Sequence, residues 1–221
     1  WHDRQNQPVS IGVRSEAGLP HWLVRAPQLD LTVLSDELQA NPDISDSLRN
    51  VISDLDLSGS LTNVQVRIPK SAPKDFVMQA NLRQVSVREW KGAPGARYVD
   101  GYIEASALNG FVEIDTRVND PARMLALNFP QVYDQPLEFE RAQGVVHWAV
   151  RPEHNQVQVH SGALQLQGEL GDANGYFYLD APLQRDTRPL ELMLQIGLQN
   201  AQASAHQRLV PRFLPEPLLD W

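Results

Sequence analysis

The chain has 221 residues, 42% of them hydrophobic and 21% charged, with a formal net charge of −8 and no cysteine. That length and apolar fraction suffice for a real core without staples and exclude a disordered tail. The acidic balance argues against nucleic acid, which needs clustered Lys and Arg, and the absence of thiols excludes disulfides, Cys nucleophiles and thiolate metal sites.

Residues 1–28 are polar and interrupted by Pro8, Pro20 and Pro27, which marks an irregular lead-in with room for one short strand. Leu29, Leu31 and Val33 alternate with polar residues, the period-2 signature of a half-buried strand. A short helical turn is expected at Ser35–Gln39, broken by Asn41-Pro42. Ile44, Leu48, Val51, Ile52 and Leu55 then fall at helical spacing behind Pro42-Asp43. This predicts one short helix, at about 43–55, flanking a sheet.

From Asp56 onward the period is two. Val64, Val66 and Ile68 make one strand, stopped by Pro69; Phe76, Met78, Ala80 and Leu82 make another. Val85 and Val87 shift phase, which predicts a bulge near Arg83-Gln84. Tyr98–Ala107 and Phe111–Val118 read as a hairpin across Asn109-Gly110, with Val99, Ile103, Val112 and Ile114 as its apolar set. Leu137 and Phe139 open the next strand, and Val146, Trp148 and Val150 lie in another. After a turn at Pro152–Asn155 come Val157 and Val159, then Leu164 and Leu166. Asn174-Gly175 marks a turn before Tyr176–Leu179, a segment carrying Phe177. The longest alternation is Leu190, Leu192, Leu194, Ile196 and Leu198, about 30 Å for nine residues. The expected fold is mainly β and antiparallel, with approximate sub-units at 29–118 and 119–221. The chain opens at Trp1 without Met or a signal-peptide pattern and holds no run of about 20 apolar residues. It therefore reads as an internal piece of a larger protein, any membrane anchor lying outside it.

Candidate chemistry is sparse. Asp54-Leu-Asp56-Leu-Ser58-Gly59 imitates the start of a calcium loop, but Gln65 stands where a bidentate Glu is needed. The six histidines include no H-E-x-x-H, and His147 and His160 fall on the polar phase of their strands. Glu138 and Glu140 read as a charged, outward edge beside Leu137 and Phe139. No phosphate-cradling glycine motif occurs. No metal, cofactor or catalytic group is expected. What remains is an aliphatic strand face, which fits either a sandwich closed on a dry core or an open trough for an apolar ligand.

Several stretches resemble the YhdP branch of the AsmA-like proteins. They are Asp56-Leu-Ser-Gly-Ser-Leu-Thr-Asn-Val-Gln-Val, the run Phe76 to Trp90, Gly92-Ala-Pro-Gly-Ala, and Val99-Asp-Gly-Tyr-Ile. Further matches are Gly110-Phe-Val-Glu-Ile-Asp115, Phe139 to Trp148, and the closing Leu209 to Trp221. Together they cover about residues 29–221. The resemblance implies a bridge-like lipid-transfer protein of Gram-negative bacteria, with a long twisted sheet curled into an open apolar groove. It implies a periplasmic location, an inner-membrane anchor elsewhere in the polypeptide, and phospholipid acyl chains as the partner. The residues that inherit a role are those of the groove face: Val99, Ile103, Val112, Ile114, Val146, Trp148, Leu164, Leu166, Phe177, Leu179, Leu190, Leu192, Leu194, Ile196 and Leu198. The contrasting expectation is an envelope scaffold or interaction module with a dry core.

Overall fold

The computed structural model describes residues 11–14, 20–42, 46–90, 93–118, 120–169, 171–184 and 188–200. Within them thirteen strands form one antiparallel sheet, accompanied by two short α-helices. Spatial order nearly follows chain order. β1 (Gly12–Arg14), β2 (His21–Asp30), β3 (Ser58–Pro69), β4 (Val77–Val87), β5 (Gly95–Ser106) and β6 (Asn109–Arg117) form a continuous meander. β7 (Leu125–Asn128) and β8 (Leu137–Phe139) belong to an excursion, after which β9 (Arg141–Arg151) pairs with the whole of β6. β10 (Gln156–Ser161) and β11 (Leu164–Gly168) lie end to end between β9 and β12 (Gly171–Pro182). β13 (Glu191–Gln199) pairs with β12 along one side.

Of the lead-in, residues 1–10 and 15–19 lie outside the described residues; the described part is regular despite its prolines. Residues 21–30 are the ten-residue strand β2, whose ladder to β3 skips Pro27 and resumes at Gln28. Proline lacks the N–H that the skipped rung would need. The Leu29–Val33 alternation is a strand only up to Asp30, because α1 (Leu31–Ala40) starts there. The Asp30 carboxylate accepts from the backbone N–H of Thr32 at 2.8 Å and Val33 at 3.2 Å, supplying two orphan helix donors with an acceptor. Leu31 and Ser35, one helical turn apart, are buried. There are thus two short helices rather than one. α2 (Asp46–Leu55) buries Ile52 and ends at Asp56 in the left-handed region, φ 45°. Arg88 at the end of β4 pairs with the Asp56 carboxylate, and its N–H donates to the Leu55 carbonyl at 2.8 Å. Ile44 lies outside the described residues.

Two bulges keep the apolar residues on one side. Asn63 and Gln84 adopt positive φ (53° and 50°), and the β3–β4 and β4–β5 registers slip by one residue at these points. Each slip resets the alternation, so Leu61 and Val64, three apart, are both buried, and Leu82 and Val85 both join the core. The bulge expected at Arg83-Gln84 is present.

Neither Asn-Gly pair is a turn. The β5–β6 hairpin closes over Ala107–Leu108, with Ala105 facing Gly110, and the Ser106 hydroxyl donates to the Asn109 carbonyl at 3.0 Å. Asn174-Gly175 lies inside β12. In both cases glycine answers a close approach. A Cβ at Gly110 would strike the Trp148 ring, and one at Gly175 would strike the Gln195 carbonyl.

After β6 the ladder gains one more rung, Val118 N–H to the Glu140 carbonyl at 2.8 Å. The chain between folds back over the apolar face. β7 pairs with Gly95–Arg97 of β5 and with β8. Leu125, Val132, Tyr133, Leu137 and Phe139 thereby join Ala26, Leu61, Val64, Leu82 and Val99 in one core. Where β5 leaves β6 to meet β7, the buried Thr116 hydroxyl takes over the ladder. It accepts from the Asp100 N–H at 2.9 Å and donates to the Asp100 carbonyl at 3.2 Å.

Thr116→Val keeps the shape but strands the backbone N–H and C=O of Asp100 beside a side chain only 1% exposed. A loss of about 1–3 kcal/mol in urea unfolding is expected; a change within experimental error would show that water replaces the hydroxyl.

Candidate functional site: an apolar face with an unroofed cleft

Cross-strand register fixes which side chains share a face. Ile103 faces Val112, and Val112 faces Val146. Ile114 faces Gly101 and Gly144, while Trp148 faces Gly110 and Val159. Leu179 faces Leu192, and Phe177 faces Leu194. Leu164 and Ile196 both face Gly175; Leu166 and Leu198 both face Ala173. Val99 faces Val85. Leu190 immediately precedes β13 and is half-buried.

These residues divide by what covers them. Val99 lies in the core roofed by the excursion, with Ile103, Val112 and Ile114 packed against it. Leu179 and Phe177 are buried, whereas Val146 and Trp148 are half-buried. Toward β13 the cover ends among the described residues. Leu192, Ile196 and Leu198 are 37, 39 and 46% exposed.

There a narrow apolar cleft opens. One wall is Leu164, Leu166, Phe177, Leu194, Ile196 and Leu198; the other comes from the excursion, as Leu127, Phe129, Tyr133, Leu137 and Phe139. Phe129 and Tyr133 meet edge to face at 6.2 Å, and burial pushes the Tyr133 phenol above its ordinary pKa. The wall is therefore aromatic and uncharged. Val99, Ile103, Val112, Ile114, Val146, Trp148, Leu179, Leu190 and Leu192 do not line this cleft. Strand alternation did not reveal the excursion wall, since Phe129 and Tyr133 sit in no strand. Their i, i+4 spacing behind the Leu125/Leu127 pair was the available signal.

The opposite face is polar and cross-linked. Phe111 lies 5.8 Å from His147, which stacks on His160 at 5.2 Å. Gln79 donates to Glu104 at 2.6 Å. Asp180, only 7% exposed, accepts from Arg188, Gln156, Gln158 and Tyr178. Burial pushes its carboxyl up, but the hydrogen bonds from Arg188, Gln156 and Gln158 and the Arg188 charge outweigh that, so it lies below the usual carboxylate range.

Among the described residues, fold and face together define the class: an antiparallel meander with one aliphatic side incompletely roofed. The chain belongs to the YhdP protein family, whose model matches residues 1–221. It is also 24% identical, over 125 residues, to the "Intermembrane phospholipid transporter YhdP" of Escherichia coli strain K12. The match takes in 57% of this chain and 9% of that protein, so the chain corresponds to a small part of its relative's length. No solved structure matches it. Among the described residues no helix is long and apolar enough to cross a membrane.

The Asp180 network predicts a pH effect of defined sign. A carboxylate with a depressed folded-state pKa adds stability above the unfolded value of about 3.9, and that stability is lost as pH falls through the folded pKa. Asp180→Asn should lower the urea midpoint at pH 7 and flatten its decline below about pH 4. A variant with the parent's acid limb would show that the network contributes nothing to folding.

Proposed function

We propose that this chain is a segment of a lipid-transfer protein of the Gram-negative envelope, and that its apolar face shields phospholipid acyl chains crossing between inner and outer membranes. In this reading the sheet curls into a groove, stands in the periplasm, and is held by an inner-membrane anchor elsewhere in the polypeptide. The observation that carries it is the unroofed cleft beside β13, where Leu194, Ile196 and Leu198 stay open opposite Phe129 and Tyr133. Family membership and the relative's name support the same reading.

The physical need is clear. Each methylene left in water costs about 0.8 kcal/mol, so a chain of about fifteen costs on the order of 12 kcal/mol. A lipid crosses an aqueous gap quickly only if its tails stay covered. An aliphatic face with a polar back covers tails while leaving the headgroup in water, and this passive role uses no catalytic group.

A dry scaffold module is the competing reading, and the roofed core under Leu125 and Phe139 favours it for that part of the face. The two separate on the exposed rim. Ile196→Asp puts a charge at a position 39% exposed, so the variant should melt within a few degrees of the parent. It should nonetheless lose photocrosslinking of a phospholipid bearing a diazirine in its acyl chain. Leu179→Asp, at 2% exposure, should unfold instead, because an unpaired carboxylate is not tolerated in a dry interior. A parent protein that never crosslinks such a lipid would remove the proposal.

A further inference from the structure

On the polar face, behind the strands that line the apolar cleft, lies a second depression. Arg141 of β9 borders it together with Gln143, Gln165, Gln167 and Asn174. Arg141 faces Arg117 directly in the β6–β9 ladder. Like charges placed opposite each other on antiparallel strands repel, and folding alone gives no reason to pair them.

The surrounding hydrogen bonds leave the guanidinium of Arg141 without an anion. Its Nη2 donates to the Gln143 side-chain oxygen at 3.2 Å, while the Gln143 amide donates to Asp115 at 3.0 Å. Asp115 is also the carboxylate beside Arg117, 4.0 Å from its Nε. Asp172, the acid at the far side of the depression, accepts from Asn200 at 2.8 Å. Arg141 forms no ion pair among the described residues, and its Nε is buried with no hydrogen-bond partner.

We propose that the polar face here holds an anion site for a phosphate group, centred on Arg141 at the border of the depression, with Arg117, its cross-strand neighbour outside the lining, as the second cation. A guanidinium presents a planar fork that matches two phosphate oxygens. Two such cations side by side suit a phosphate better than a single carboxylate. The amides of Gln165, Gln167 and Asn174 offer uncharged donors to the remaining oxygens or to hydroxyls on the esterified alcohol. A chain of net charge −8 has no general attraction for anions, so phosphate binding here reports this local pair. The site lies on the opposite face from the acyl-chain cleft and does not depend on that reading.

The phosphate has two possible sources, a soluble phosphorylated molecule or the headgroup of a lipid surface. Titration calorimetry at low salt with inorganic phosphate and with glycerol 3-phosphate reads the first. Flotation with phosphatidylglycerol vesicles, against phosphatidylcholine vesicles, reads the second. In whichever arm binds, Arg141→Gln should weaken binding at least tenfold, while Arg67→Gln, elsewhere on the sheet, leaves it unchanged. Should Arg141→Gln fail to melt cooperatively, Arg117→Gln, at an exposed position, takes its place under the same criterion. No binding in either arm, or binding indifferent to both arginines, overturns the site.

Discussion

The structure depends on one constraint, the register of a single antiparallel sheet over its whole width. Side chains alternate faces with a period of two, so a slip of one residue would turn an aliphatic strand inside out. The meander meets this constraint locally, since nearly every strand pairs with its neighbour in sequence. Where the apolar spacing breaks from two to three, as between Leu61 and Val64 or Leu82 and Val85, a bulge at Asn63 or Gln84 absorbs the extra residue. Asparagine tolerates the left-handed backbone there better than most residues.

An aliphatic sheet face must be covered or cost free energy. The excursion between β6 and β9 covers part of it, and that part is as dry as any interior, with Leu125 at 1% exposure. Apolar surface removed from water stabilises by about 25 cal/mol per Å², so the roofed region carries the stability of the fold. The remainder along Leu194 to Leu198 is less covered among the described residues and gains less of that stabilisation. A continuous apolar strip left open in this way is uncommon without a use. Among the described residues the chain thus combines a closed core that holds the sheet together and an apolar margin that is only partly covered.

The two faces also differ in how they are joined. On the apolar side the contacts are between aliphatic rows and the excursion. On the polar side they are directional: the His147–His160 stack, Gln79 to Glu104, and the Asp180 cluster that ties the β12–β13 connection back to β10. Such bonds hold neighbouring strands in register without adding apolar bulk, which suits a sheet whose other side is only half covered.

How much was legible in the residues follows from the range of each force. The mainly β, antiparallel character was plain, because period-2 alternation is a local property of each strand, and so was the bulge at Arg83-Gln84, which shows as a phase shift. Other features were decided only by the tertiary structure. Leu31 and Val33 alternate like a strand, yet the Asp30 cap and packing against β2 and β3 make them helix. Gly110 and Gly175 look like turn glycines, but their cause is a tryptophan ring and a carbonyl from strands far along the chain. The excursion wall of Phe129 and Tyr133, and the opposition of Arg117 to Arg141, likewise arise from pairings between distant residues. Periodicity records which side of its own strand a residue occupies; what lies over that side is set by other strands, and that only the folded chain determines.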